Sequence, residues 1–209
     1  QTLTKEDYVI ICGDFGAVWD DMLPDLFWRD WLDVQPWTTL FVDGNHENFE
    51  LLDDYPVSRW HGGKVHFIKD SVIHLMRGQI YTIDEQTFFT FGAGYSCDIE
   101  TRVEHRSWWQ QELPTTQEWN EALNNLLQYN FHVDYIITHD CPFYIKELLH
   151  TRTIPCNLDD YTLPHLRNID EVMDDIEQQV TYKLWFSGHL HIDQTIYKHV
   201  ILFNTIYCL

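Results

Sequence analysis

Four short pieces of this chain carry side chains that could do chemistry together: Gly13-Asp14, Gly44-Asn45-His46-Glu47, Thr138-His139-Asp140 and Gly188-His189-Leu190-His191. Each follows a short apolar run that reads as a β-strand. A hydrolytic site with two cations needs a bridging carboxylate, neutral nitrogen and amide-oxygen ligands, and an open position for water. Asp14 suits the bridge, Asn45 offers a carbonyl oxygen, and His139, His189 and His191 offer imidazoles. Each piece is ordinary alone: Gly-Asp after a strand is a common turn, and His-x-His pairs occur on surfaces and in cores. Their order and their shared place at strand ends set them apart. His61, His66, His74, His105, His132, His150, His165 and His199 lack such company and are read as structural.

The elements that must position these residues follow from pattern. Tyr8 to Cys12 and Thr39 to Val42 are continuous apolar runs, as in strands buried on both faces. Between them Leu23 to Leu32 is helix-like, with Leu23, Leu26, Phe27 and Trp31 on one face. Strand, helix, strand favours parallel pairing. From Lys64 to Phe91, four short runs separated by turn residues predict a mostly antiparallel meander, closed by Gly92-Ala93-Gly94. Tyr95 to Pro114 has no clear period and carries Arg102 and Arg106. A loop of that length is often functional. Thr115 to Glu118 has the form of a capping box, ahead of Trp119, Leu123, Leu126 and Leu127 at helical spacing. Tyr135 to Thr138 and Leu184 to Ser187 are further strands, and Ile169 to Gln179 is a helix. A short helix is expected around Tyr144 to His150, and a closing hairpin from Thr195 to Phe203. The α/β reading is one domain, with two mixed sheets packed face to face and helices outside. Strand C-terminal ends are where open α/β sheets place their ligands.

Bulk properties narrow the function. The 209 residues, 44% hydrophobic and 15% aromatic, suffice for a packed core. No run approaches the ~20 apolar residues of a membrane span. Thirty-three acidic residues against 13 basic give a net charge of −20, which disfavours nucleic acid as a partner. A small phosphorylated substrate remains compatible, because bound divalent ions reverse the local sign. Five cysteines, odd in number and without C-x-x-C, read as reduced thiols of a cytoplasmic protein. Cys12 and Cys208 are expected in the core, and Cys141, next to the His139 piece, is weighed as a ligand.

The ordered set Gly-Asp-x-x, Gly-Asn-His-Glu, Thr-His-Asp and Gly-His-x-His resembles the calcineurin-like metallophosphoesterases, in particular a bacterial or phage branch. The likeness runs from Tyr8 to about Phe203. It implies a four-layer α/β/β/α sandwich. It implies two divalent ions (Mn, Fe, Zn or Ni), with Asp14 bridging them. One ion is completed by Asn45, His139 and His189, and the other by His191 with an Asp and a His from an Asp-x-His motif. His46 assists the leaving oxygen, and an acidified water attacks phosphorus in line. The expected reaction is hydrolysis of phosphate mono- or diesters. The alternatives are a catalytically degenerate scaffold of the same fold and, disfavoured by charge, a nuclease.

Two departures stand out. No Asp-x-His precedes Tyr8, so a strand and helix of roughly 25–35 residues are expected upstream of this chain. As written, the second ion keeps only Asp14 and His191, and poor hydrolysis is expected. Lacking an upstream strand, Tyr8–Cys12 is an apolar edge open to aggregation. The protein-phosphatase pattern Gly-Asp-x-x-Asp-Arg is also broken, since Ala17 and Val18 stand at its last positions. Substrate contacts are expected from Asn45, His46, Arg102 and Arg106, since guanidinium forks match phosphate oxygens.

Overall fold

A computed structural model describes residues 2–149 and 165–209. Eleven strands form two mixed sheets. The first has the order β1 (Tyr8–Ile11), β2 (Thr38–Phe41), β5 (Val72–Leu75), β4 (Gly63–Lys69) and β3 (Val57–Trp60). The second runs β10 (Gln194–Ile196), β11 (His199–Ile201), β9 (Leu184–Ser187), β8 (Tyr135–Thr138), β7 (Gln86–Phe91) and β6 (Gln79–Ile83). Strands β1, β2 and β5 are parallel, as are β7, β8, β9 and β11.

The sheets pack face to face through Leu40, Val42, Val65, Ile73 and Leu75 of one and Tyr81, Ile83, Phe88, Ile137, Phe186 and Val200 of the other. Both faces of each sheet are therefore buried, which is why these strands read as unbroken apolar runs. Helices α3 (Thr116–Gln128) and α5 (Ile169–Gln179) cover the second sheet with Trp119, Leu126, Val172 and Ile176. The α3 capping box forms: Thr115 accepts from Glu118 N–H, and Glu118 accepts from Thr115 N–H at 2.7 Å. Helices α1 (Leu23–Asp33) and α2 (Phe49–Asp53) lie on the first sheet, and α4 (Phe143–Leu148) follows β8. This is a four-layer α/β/β/α sandwich. Among the described residues, no helix is long and apolar enough to cross a membrane.

Four expectations change. The segment Lys64 to Phe91 is not one meander. It makes hairpin β4–β5 in the first sheet and hairpin β6–β7 in the second, crossing between sheets at Met76–Gly78. Local pattern sees each hairpin, but only tertiary packing decides that β5 pairs with β2. Strand β3 went unread because its residues are mostly exposed. The apolar face of α1 points to solvent: Leu23 is 82% and Phe27 60% exposed, and Arg29 is the buried residue of the helix. Apolar residues surround α1 on more than one side, and the sheet covers only the side bearing Arg29 and Leu32. Cys208 is exposed in the tail beyond β11, where no strand pairs with it, while Cys12 is enclosed and burial pushes its thiol up to about 12. The end of the helix expected to reach His150 lies outside the described residues.

Candidate metal centre

The C-terminal ends of β1 and β2 in one sheet and of β8 and β9 in the other meet at one rim of the sandwich. They deliver Asp14, Asn45, His139 and His189, one from each strand end. The turns are tight. A Cβ on Gly13, at φ +87°, would lie 2.1 Å from the His139 ring, and one on Gly44 2.1 Å from Asp14 Oδ1. Only glycine lets these backbones approach.

His139 sets the chemistry. Its Nδ1 lies 2.8 Å from the Cys12 carbonyl oxygen, which can only accept, so Nδ1 carries the proton and Nε2 a lone pair. That lone pair faces Asn45 Oδ1 at 3.0 Å, His189 Nδ1 at 3.2 Å and Asp14 Oδ1 at 3.3 Å. A proton on His189 Nδ1 serves one of these contacts and leaves both oxygens aimed at a lone pair. A cation among them relieves the repulsion. Ligands about 2.0–2.2 Å from one divalent ion stand roughly 3.0–3.5 Å apart, which matches the observed separations. One carboxylate, one amide oxygen and two imidazoles suit Mn, Fe, Zn or Ni. Burial pushes His189 down to about 4, which leaves it neutral, the form that ligates. The residues present therefore fit a divalent ion. No three or more His, Cys, Asp or Glu side chains among the described residues close into a cage on their own, so the Asn45 oxygen is integral to the set.

Backbone strain gathers here as well. Asp14, His189 and His191 adopt left-handed conformations, at φ 54°, 60° and 52°. Each costs of order 1 kcal/mol or more, and such strain clusters at functional sites. The Glu47 carboxylate secures the turn after Asp14 by accepting from Phe15 N–H at 2.7 Å and Gly16 N–H at 3.3 Å. Its burial pushes it up to about 8 despite those bonds.

His46 donates its backbone N–H to Asp14 Oδ1 at 2.9 Å. Arg102 lies against the His46 ring, its Nη1 3.1 Å from Nδ1, and Asp98 accepts from Arg102 Nε at 2.6 Å. Burial holds His46 below the ordinary histidine range, with Arg102 adding to the effect and Asp14 opposing it. Two sequence candidates stand apart from the cluster. His191 is exposed and stacks on Phe203, with ring centroids 4.9 Å apart. Arg106 is exposed and makes no side-chain hydrogen bond or ion pair among the described residues. Cys141 is buried against Ile145 and Ile201 rather than aimed at the cluster.

Sequence reasoning missed a supporting layer. Asn45 Nδ2 donates to Ser96 Oγ at 3.0 Å, and Ser96 donates its N–H to the Glu112 carboxylate at 3.2 Å. Arg77 bonds Asp43 at 2.6 Å, the Gln111 carbonyl at 2.6 Å and the Leu113 carbonyl at 3.3 Å, tying the Asn45 loop to the turn bearing Glu112. Burial works against the Asp43 charge, and Arg77 outweighs it, holding the carboxyl well below the usual range. A cavity of about 180 Å³ lies beside this pair, and none of the four converging donors lines it. Gly92-Ala93-Gly94, a strand-end glycine signal like the others, was the one pointer to Ser96. Nothing in the sequence pointed to Glu112.

No protein-family model matches the chain, and no curated protein matches it.

Proposed function

We propose that this chain is a metal-dependent phosphoesterase of the calcineurin-like kind, hydrolysing phosphate mono- or diesters. The observation that carries the reading is the meeting of Asp14, Asn45, His139 and His189 from four strand ends in two sheets, with the His139 lone pair at its centre. Their order along the chain is that of the resemblance.

Divalent ions held by Asp14, Asn45, His139 and His189 supply Lewis-acid charge for phosphoryl transfer to water. The chain's own residues do the rest. The Cys12 carbonyl fixes the His139 tautomer that ligates. His46, beside the cluster, serves the departing oxygen. Arg102 stands where it meets the phosphoryl oxygens, and Asp98 holds its fork. In this reading His191 serves a second ion together with Asp14.

The test is release of nitrophenolate from bis-p-nitrophenyl phosphate and p-nitrophenyl phosphate, with Mn²⁺ and with chelator. Mn²⁺-dependent turnover that disappears in Asp14→Ala is the expected result. The substrate preferred separates diesterase from monoesterase. A second reading, a catalytically silent scaffold, draws on His191, which stands exposed on Phe203 away from the other donors. Mn²⁺ binding with no turnover of either ester would establish that reading instead.

A further inference from the structure

We infer that Ser96 and Glu112 are positioning residues that decide which end of the Asn45 amide faces His139. The consequence for metal rests on the function proposed above; the orientation itself does not.

The argument is one of proton accounting. All three residues are buried, with Asn45 4%, Ser96 1% and Glu112 1% exposed. Water therefore cannot stand in for a missing partner. Ser96 gives both its N–H and its hydroxyl to the Glu112 carboxyl. Having spent its only proton, the hydroxyl can only accept from Asn45. The amide answers with Nδ2, at 3.0 Å, and so turns Oδ1 to His139 Nε2, also at 3.0 Å.

The opposite orientation is chemically plausible when no cation is bound. An Asn45 amino group aimed at the His139 lone pair makes a good hydrogen bond, and a free Ser96 hydroxyl donates to the amide oxygen. That arrangement turns an N–H group toward the position of the cation. Glu112 blocks it by claiming the Ser96 proton. The other Glu112 oxygen, Oε1, is buried with no hydrogen-bond partner. A fold rarely tolerates such an atom without a use for the group. Burial pushes Glu112 up to about 8. When protonated it can carry the proton on Oε1, and Oε2 still accepts from Ser96, so the orientation holds in either state.

Ser96→Ala removes the acceptor, and Glu112→Leu removes the group that claims the Ser96 proton. Glu112→Gln keeps a carbonyl oxygen for Ser96 and is the conservative control. Mn²⁺ affinity by calorimetry is expected to fall about 10–100-fold in Ser96→Ala and Glu112→Leu, the range for lost partners of metal ligands. It is expected to stay near the parent value in Glu112→Gln. Circular dichroism and Tm confirm folding. Ser96→Ala deletes a single oxygen and decides the matter alone if Glu112→Leu does not fold. Parent-like Mn²⁺ affinity in folded Ser96→Ala overturns the inference. An independent readout is the Asn45 side-chain amide in the metal-free ¹⁵N-labelled protein. Two exchange-protected protons in the parent, with protection lost in Ser96→Ala, support it, and an unprotected amide in the parent overturns it. If the parent binds no Mn²⁺, the proposed function fails, and this amide signal still judges the inference.

Discussion

Single atoms decide what the strand-end residues can do. Gly13 is the most exacting position, since its left-handed backbone and the His139 ring both exclude a side chain. Gly13→Ala is expected to lose about 2–3 kcal/mol of stability and its bound metal together, read by chemical denaturation and metal analysis. His46→Ala is expected to behave differently. Its side chain is not among the converging donors, so kcat should fall far more than metal content, and equal loss of both would make it a ligand or a structural residue. Glu112 provides a pH test. Its folded pKa, raised to about 8 by burial with Arg102 opposing, lies above the ordinary carboxylate value. Between those two values the native state holds the extra proton, so this group makes stability fall as pH rises from about 4.5 to 8. Glu112→Gln should flatten that part of the Tm–pH curve, and an unchanged slope would show that Glu112 does not titrate in this range. Of these residues, Asp14 and His46 were legible in sequence because their motifs announce them. Glu112 was not, since a lone glutamate in an irregular segment looks like any surface acid.

At the scale of elements, α1 shows how periodicity and burial can part. Phe27, Trp28 and Trp31 form an edge-to-face aromatic run that continues to Trp37 on the solvent side. Arg29 instead turns inward, bonding the Tyr55 hydroxyl at 2.8 Å and pairing with Asp21. Because Phe27 is exposed, Phe27→Ser should change stability by no more than about 0.5 kcal/mol while reducing self-association on size-exclusion chromatography. A loss of several kcal/mol would show that this face packs after all. Strand β1 is also a sheet edge, with β2 as its one partner among the described residues, so the expectation of an open apolar edge keeps its physical basis. Sequence located both elements correctly. It could not say which side of α1 meets the sheet, because apolar residues lie around more of the helix than the sheet covers.

Across the whole molecule, the crossover at Met76–Gly78 joins the two sheets, and Arg77 within it joins the two halves of the site's supporting layer. Arg77→Met leaves Asp43 as a buried charge without its cation and should cost about 3–5 kcal/mol, measured by denaturation. Adding Asp43→Asn should recover part of that loss, and an additive double variant would show the pair is uncoupled. The sequence by itself determined the α/β class, the strand-end glycines and four of the residues that meet, because strand periodicity and close-approach glycines are local properties. Tertiary structure alone decided that Lys64 to Phe91 divides between two sheets. It also decided that His191 and Arg106 stand apart while Arg102 reaches His46, and that Ser96 and Glu112 support Asn45. Those outcomes depend on which distant segments share a buried space and where each buried proton goes. Neither is written in the spacing of residues along a chain.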